Sequence, residues 1–388
     1  MSEPGTIALY VHWPFCRARC PYCDFNVHVR RAVDHARWER ALLAELDREA
    51  DRTPGRRLTS VFFGGGTPSL MAPGTVAAII ARAKERWPSV NEPGTDDVEV
   101  SLEANPNDHE AFRDFARAGV TRLSLGVQSF DDAALRALGR DHSAEEAKRA
   151  WDAALKAFPT ASMDLIYALP GQDEAAWRAE LTAALARAHD QLSLYHLTIE
   201  PGTAFEAMRR RGALDPMADD DAAHLYEIAQ ALCAEAGLPA YEISNHARPG
   251  RECRHNLVYW RYGDYAGIGP GAHGRLTLGD DKIATQRWRA PERWMDDVAA
   301  HGHGTAEEQV LDRAARLQEL LIMGLRLVEG VSRAAVRRET DQAIEAVLDA
   351  DAMAALAAQG LLHVDGQGLR ATAAGRQRLD AVLRRLLA

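Results

Sequence analysis

Residues 9–28 read LYVHWPFCRARCPYCDFNVH, and this stretch decides how the chain is interpreted. Its three cysteines, Cys16, Cys20 and Cys23, have a spacing that on a helix would form a buried stripe. Pro14 and Pro21 argue against a helix, because proline removes a helical hydrogen bond and restricts the residue before it. The segment is therefore predicted to be a loop leaving the first strand, able to curl three sulfurs around one small object.

A cysteine trio in a protein without a disulfide framework is more often metal-binding than structural. Structural zinc takes four ligands, and although no fourth cysteine lies nearby, His12 or His28 could complete a tetrahedron. An iron–sulfur cube held by three thiolates leaves one iron without a protein ligand, and that vacancy suits a small molecule. The sequence favours one [4Fe–4S] cluster, with zinc as the alternative.

Short apolar runs and amphipathic stretches alternate along the chain, beginning with the strand that leads into the loop. The runs predict strands at 7–11, 60–63, 98–102, 122–127, 162–167 and 191–198, and the stretches predict helices near 34–50, 74–87, 108–118, 131–157 and 173–188. Such alternation implies a parallel sheet with right-handed crossovers. Because six units are fewer than the eight of a closed barrel, we predict an α/β fold, a partial (β/α)6 TIM-like barrel.

The alternation of short apolar runs with amphipathic stretches becomes less regular after residue 200. A helix is predicted near 219–236, followed by a stretch at 240–275 that is rich in Gly, Tyr and Trp. From about 305 the chain reads as helical, with a hairpin around Gly366 and Gly368, which is a winged-helix outline. We predict a barrel domain at 1–235, a barrel extension at 236–304, and a mainly helical, winged-helix-like domain at 305–388.

Composition limits the classes of partner and compartment. The chain has 388 residues and a net charge of −10, which disfavours binding to a nucleic-acid backbone. Five cysteines are too few for a disulfide framework, so a cytoplasmic location is expected. No apolar run approaches the roughly 20 residues of a membrane span, although peripheral membrane contact stays open.

Polar residues follow several predicted strands. The segment VFFGGGTPS at 61–69 places a glycine run after the second strand, and glycine lets the backbone approach a ligand closely. Glu103, Gln128, Asp164 and His196 lie at or near later strand ends, and Arg140 lies in LGRDHS. Any one of these could be an ordinary capped turn. Four predicted strands with a polar residue at or near the carboxyl end favour one shared site, because ligand-binding groups collect at the carboxyl ends of barrel strands.

The motifs LYVHWPFCRARCPYCDFNVH, FFGGGTPS, SLEANP, RLSLGVQSF, LGRDHS and MDLIYALPGQ, in that order, resemble the oxygen-independent coproporphyrinogen III oxidase family of radical S-adenosylmethionine (SAM) proteins. The resemblance covers residues 7 to about 275 and a later segment, LIMGLRLVEGV. It implies that Cys16, Cys20 and Cys23 bind the cluster. It also implies a SAM site lined by Tyr10, Gly66 and Glu103, with Thr67, Gln128, Arg140 and Asp164 lining a pocket that takes a second SAM.

Two departures point to the heme chaperone branch of that family. The oxidase has a further cysteine where this chain has Phe25, and it reaches its cysteines after a long extension, whereas here the first lies at residue 16. The chaperones carry an HNxxYW motif, present here at 255–260. The resemblance therefore implies heme contact through His255, Tyr259 and Trp260, with Cys253 as an alternative iron ligand.

The expected function is to receive heme and pass it to heme-accepting proteins. A flavodoxin or ferredoxin is the expected electron donor, and no catalytic residue is assigned. The alternative is the oxidase reaction, the anaerobic decarboxylation of coproporphyrinogen III propionates to vinyl groups.

Overall fold

The computed structural model describes residues 5–88 and 98–387, and six parallel strands form its centre. In chain order they are β1 (Thr6–Trp13), β2 (Arg57–Gly65), β3 (Glu99–Ala104), β4 (Arg122–Gln128), β5 (Thr160–Tyr167) and β6 (Gln191–His196). Neighbours in sequence are neighbours in the sheet, and all five pairings between them are parallel. The predicted partial (β/α)6 barrel is therefore confirmed.

The extension adds strands to both edges of this sheet. Strand Tyr265–Ile268 pairs in parallel with β1, and antiparallel strands His273–Leu278, Asp281–Arg287 and Thr305–Leu311 follow it outward. At the other edge, Asn245–Ala247 pairs antiparallel with β6. The sheet thus contains eleven strands within the described ranges.

Helices cover the outside of the barrel and complete the chain. Those of the barrel are His35–Arg52, Pro73–Arg86, Phe112–Arg117, Asp132–Ala137, Ala144–Ala157 and Glu174–Leu185, with short 3-10 turns at Pro68–Leu70 and Pro106–Ala111. Later helices are Ala204–Arg210, Asp219–Glu235, Arg254–Trp260, Pro291–His301, Arg313–Gly324, Arg333–Thr340, Ile344–Val347, Ala350–Ala358, Ala373–Gln377 and Leu379–Leu386.

An ion-paired cluster joins the first barrel helix to the extension inside the core. Arg287 has no solvent exposure, and its guanidinium lies 3.4 Å from Glu45 and 2.9 Å from Glu49, both on helix His35–Arg52. Glu45 also accepts hydrogen bonds from Trp294 Nε1 and from the Gly304 backbone N–H. Because buried charges are tolerated only when they are paired, this cluster fixes the extension against the barrel.

Two sequence predictions about elements are wrong. The single helix predicted at 131–157 is two helices, separated by a loop in which Gly139 has a φ of 66°. Residues 305–311 form an edge strand of the large sheet and not the start of a helical region. The strand is mostly exposed and polar, so it lacks the alternation of apolar and polar residues from which a strand is predicted.

The C-terminal region matches its predicted outline. Leu362–Val364 and Gly368–Ala371 form the hairpin, which pairs with Val331–Ser332 in a three-stranded sheet surrounded by helices. The division into three domains stays a prediction, and its outermost residues, 1 and 388, lie outside the described ranges. Among the helices of those ranges, none is both long and apolar enough to span a membrane.

Candidate cluster and SAM site

A cavity of about 410 Å³ lies at the carboxyl ends of the barrel strands. Nine of the predicted site residues line it, together with the cysteine loop and the ends of β3 to β6. These nine are Cys16, Cys20, Cys23, Gly66, Thr67, Glu103, Gln128, Arg140 and Asp164. His196, at the end of β6, lines the same cavity. The expectation that several strand ends share one site is met by this placement.

The cysteine loop is closed by a short parallel pairing of Phe15–Cys16 with His28–Val29. All three thiols are free. Burial raises the pKa of Cys16 to about 11 and also raises that of Cys23, so both thiols hold their protons in the absence of a cation. A metal centre would replace those protons with positive charge, which is how cysteine thiols become metal ligands.

Two side chains from other elements contact the cysteine sulfurs. The Thr67 hydroxyl, which follows the glycine run, donates to Cys16 Sγ at 3.3 Å. Arg140 Nη1 donates to Cys20 Sγ at 3.5 Å. The hydrogen bond from Thr67 favours thiolate over thiol at Cys16, because a donated hydrogen bond stabilises the charged form.

The glycine run after β2 lets the backbone pass close to other parts of the site. Gly65 has a φ of 108°, and its N–H donates to Glu103 Oε2 at 3.1 Å. A side chain at Gly65 would collide with the imidazole ring of His12. The glycine is therefore required both by its backbone conformation and by the space that the ring occupies.

His12 connects β1 to the far end of the cysteine loop. Its Nε2 donates to the carbonyl oxygen of Asn26 at 3.0 Å, and its Nδ1 accepts from the Tyr10 hydroxyl at 3.0 Å. Both ring nitrogens are thus engaged, so the zinc alternative finds no open ligand in His12. Within the described ranges, no group of three His, Cys, Asp or Glu side chains is arranged to hold a single metal ion.

Two half-buried carboxylates, Glu103 and Asp164, line the cavity. Burial, reinforced by the nearby Asp164, raises the pKa of Glu103 to about 7. Burial likewise raises the pKa of Asp164 to about 6, although Ser124 donates to both of its carboxylate oxygens at 3.0 and 3.1 Å. Carboxylates held in this way are poised to take a cationic ligand, because a cation would relieve the cost of burying their charge.

Arg140 supplies the opposite charge. Its Nη2 donates to the carbonyl oxygen of Gly126 at 3.2 Å, while its buried Nε has no hydrogen-bond partner among the described residues. Nearby Gln128, at the end of β4, has a φ of 68°, which is uncommon for a residue with a side chain. Such strain and such an unpaired donor are features of ligand-binding sites.

The charges of the cavity complement those of SAM. The ligand carries a sulfonium and an ammonium cation together with one carboxylate, while the inner wall of the cavity offers the carboxylates of Glu103 and Asp164 and the guanidinium of Arg140 in addition to the thiols. Glu103 and Asp164 fit the cations, and Arg140 fits the carboxylate. The three free cysteines, facing the same space, fit a cluster with one iron open to that ligand.

Several residues of the cavity wall escaped sequence reasoning, among them Asn105, Ser124 and Tyr195. Phe25, which the sequence singled out only as a departure from the oxidase, also lines the cavity and is 60% exposed. Ser124 could have been found, because it lies two residues before Gly126 on β4 and its side chain faces Asp164 across the sheet. Tyr10, in contrast, is outside the wall of this cavity, and its predicted SAM contact stays a prediction.

The HNxxYW motif lies elsewhere. It forms helix Arg254–Trp260, and His255 has no solvent exposure. His255 Nδ1 is hydrogen-bonded to Ser60 Oγ at 2.8 Å and Nε2 to the Tyr259 hydroxyl at 2.5 Å, so neither nitrogen is open to an iron atom. The Trp260 ring is covered by the guanidinium of Arg326, 4.5 Å from its centroid.

This placement speaks against the predicted heme contact. Ligation through His255 would require both hydrogen bonds to break and a buried helix to move. Cys253, the alternative ligand, is equally buried, and its thiol donates to Glu99 at 3.4 Å. Heme binding by this motif stays a prediction that the observed geometry does not support.

Comparisons with known proteins agree with the fold. Residues 10–182 match the model of the radical SAM superfamily, and residues 311–378 match that of the HemN C-terminal domain. In structure, the coproporphyrinogen III oxidase HemN from Escherichia coli, a radical SAM enzyme, aligns with a TM-score of 0.80 over 98% of this chain and 89% of that one, at 23% identity.

Two relatives cover almost the whole sequence. Radical S-adenosyl methionine domain-containing protein 1, mitochondrial, from Bos taurus is 40% identical, with 99% of this chain and 88% of that protein aligned. Heme chaperone HemW from Mycobacterium tuberculosis is 37% identical over 99% and 96% of the two chains. HemW from Escherichia coli is also 37% identical, with 86% of each chain aligned.

The fold, the cysteine loop and the matched superfamily model define the class of this site as that of radical SAM proteins. Within that class, the chain belongs to the HemN-like family, in its heme chaperone branch.

Proposed function

We propose that this protein binds heme and transfers it to heme-accepting proteins, and that it carries one [4Fe–4S] cluster and SAM in the cavity at the barrel mouth. The single observation that carries the proposal is the cavity itself, in which three free thiols, two half-buried carboxylates and a partly unpaired arginine meet. The 37% identity to heme chaperones over nearly the full length supports the choice of heme as cargo.

Each residue has a defined task in this proposal. Cys16, Cys20 and Cys23 hold three irons of the cluster and leave the fourth open. Glu103 orients the ammonium group of SAM together with the backbone of the glycine run, while Arg140 holds its carboxylate. A bound cluster with SAM supplies one-electron reductive cleavage of a carbon–sulfur bond, which is chemistry that belongs to the cofactors.

The protein's own contribution is to orient and to exclude water. The Asp164 carboxylate, to which Ser124 donates, is a hydrogen-bond acceptor at the inner wall. The apolar side chains Ile166 and Leu197 border the same space. Arg17, which is 48% exposed and ion-paired with Asp108, and Arg19 lie on the cysteine loop and line the mouth together with acidic residues such as Asp24. A small electron carrier such as a flavodoxin or ferredoxin would dock at this mouth of mixed charge.

We also propose that the protein is located in a reducing compartment, the cytoplasm. All five cysteines are free, which agrees with a location where disulfides do not form.

The alternative function is oxidative decarboxylation of coproporphyrinogen III. It is favoured by the fold shared with the oxidase and by a cavity that retains Gln128 and Arg140. Phe25 stands against it, since the ring occupies the position of the oxidase's extra cysteine.

One experiment separates the two functions. Protein reconstituted anaerobically with iron and sulfide is given heme and an apo-hemoprotein in one arm, and coproporphyrinogen III, SAM and a reductant in the other. We expect heme transfer in the first arm and no protoporphyrinogen in the second. A variant with serine at all three cysteines is the control, and steady protoporphyrinogen formation by the unsubstituted protein would replace the chaperone function with the oxidase function.

A further inference from the structure

A second cavity, of about 800 Å³, lies beside the first and is here called the lateral groove. It is bounded by helices Asp132–Ala137, Glu174–Leu185 and Ala204–Arg210. Its wall is mainly apolar and includes Leu138, Leu169, Leu197, Phe205 and Met208. A volume of this size lies in the range of about 300–1,000 Å³ that is typical of sites for small organic ligands.

The lateral groove shares structure with the cluster site. Leu197 lines both cavities. The backbone N–H of Phe205, in the groove wall, donates to the carbonyl oxygen of Pro21 at 2.9 Å, between the second and third cysteines. The ring of Tyr22 lies 6.3 Å from that of Phe205. A ligand in the groove would therefore rest against the back of the cysteine loop.

Two cations stand at the border of the groove. Lys148 and Arg187 both line it, and each forms one long ion pair among the residues that the structure describes, with Glu145 at 4.0 Å and with Asp152 at 3.7 Å. Ion pairs this long and this exposed contribute little, so both cations can exchange their partners for a ligand carboxylate at small cost.

The carboxylates of the groove already accept hydrogen bonds from the protein itself. Glu180 accepts hydrogen bonds from Ser129 and from the Phe130 backbone N–H, and Asp131 caps helix Asp132–Ala137 by accepting from the Ala134 N–H. The groove therefore presents a mainly apolar wall whose two carboxylates already accept hydrogen bonds, while its two cations form only long, exposed ion pairs. Those two cations can pair with the carboxylates of an apolar ligand that carries two of them.

We propose that the lateral groove is the heme site of this protein. One porphyrin face packs on the groove wall at Met208 and Leu214, beneath which Leu138, Leu197 and Phe205 are buried, and the two propionates bind Lys148 and Arg187. This inference rests on the proposed function. It assigns heme to a site distinct from the HNxxYW motif, whose histidine is fully buried and hydrogen-bonded at both nitrogens.

A matched pair of substitutions on one helix tests the site. Ala183 is exposed and lines the groove, so Ala183→Trp would fill the porphyrin's space without disturbing the core. Thr182, its neighbour, is also exposed but lies outside the lining, and Thr182→Trp is the control. Cluster-loaded, full-length proteins are titrated anaerobically with hemin, and binding is followed by the Soret absorbance.

We expect Ala183→Trp to weaken hemin binding at least tenfold and Thr182→Trp to leave it unchanged, with the cluster spectrum intact in both. Equal binding by the two variants and the unsubstituted protein would overturn the groove assignment while leaving the chaperone function in place. If the unsubstituted protein binds no hemin, the proposed function itself fails and the groove assignment falls with it.

Reversing the charges of the two cations tests the propionate contacts independently. The double variant Lys148→Glu, Arg187→Glu should bind hemin about tenfold more weakly, because two attractive ion pairs become repulsive. The dimethyl ester of the porphyrin, which has no free carboxylates, should bind the double variant and the unsubstituted protein equally. An unchanged hemin affinity in the double variant would contradict the role of the two cations.

Discussion

Replacing Glu103 by glutamine should stabilise the protein and at the same time weaken SAM binding. Glu103 lies in the wall of the cluster cavity, where burial and the charge of Asp164 raise its pKa to about 7 from a usual value near 4.5. Glutamine has nearly the same shape and can still accept the hydrogen bond from the Gly65 N–H, but it carries no charge. The substitution therefore removes an unfavourable buried charge without creating a cavity.

The pKa difference sets the size of the effect. A folded pKa of about 7 against about 4.5 in the unfolded chain means that ionisation of Glu103 costs about 3 kcal/mol of stability. Because the raised pKa belongs to an acid, the folded state binds the proton more tightly. Its stability therefore falls as the pH rises from about 4.5 to about 7. At pH 8 the full cost applies, and near pH 5 only about 1 kcal/mol of it remains.

Urea unfolding of cluster-free protein at pH 5 and pH 8 measures this directly. We expect Glu103→Gln to be about 3 kcal/mol more stable than the unsubstituted protein at pH 8, with most of the gain lost at pH 5. Glu110→Gln, at an exposed position, is the control and should change neither value. A gain of the same size at both pH values, or no gain at pH 8, would refute the assignment of a buried, ionised Glu103.

Three further outcomes are expected from the packing. Gly139→Ala should lower stability by about 1–2 kcal/mol and reduce iron retention, since Gly139 has a positive φ and a Cβ there would lie 2.6 Å from the Pro21 ring in the cysteine loop. Iron analysis after gel filtration measures the retention. Arg287→Ala should cost about 3–5 kcal/mol by leaving buried carboxylates, Glu45 among them, without a cation, and the midpoint of denaturation reports this loss. His255→Ala should cost about 2–4 kcal/mol through loss of packing and hydrogen bonds yet leave hemin affinity unchanged, and a lost Soret band in folded protein would contradict that.

The barrel could be predicted from sequence because its strands are short apolar runs that differ sharply from the helices between them. The break at Gly139 was missed because the flanking residues continue a helical pattern. A capping box at Ser143 and Glu146, in which each residue's side chain accepts from the other's backbone N–H, was the available signal for a new helix start.

The cluster loop and the strand-end residues could be predicted because their types and order carry the chemistry. The orientation of His255 could not be predicted. A histidine in a motif looks the same in sequence whether it faces solvent or a partner, and here Ser60, 195 residues away in the chain, supplies that partner. Likewise, the lateral groove arises from three helices whose separate apolar faces reveal nothing about the space left between them.

The packing of His12 against Gly65 has a consequence for how this barrel mouth can evolve. The imidazole occupies the volume that any side chain at 65 would need, and it also ties the cysteine loop to the first strand through Asn26. A larger residue at position 65 would therefore need a smaller side chain at position 12 as well as a different backbone conformation at residue 65. Loss of the ring would also release the tether, so we expect glycine at 65 and histidine at 12 to be retained together.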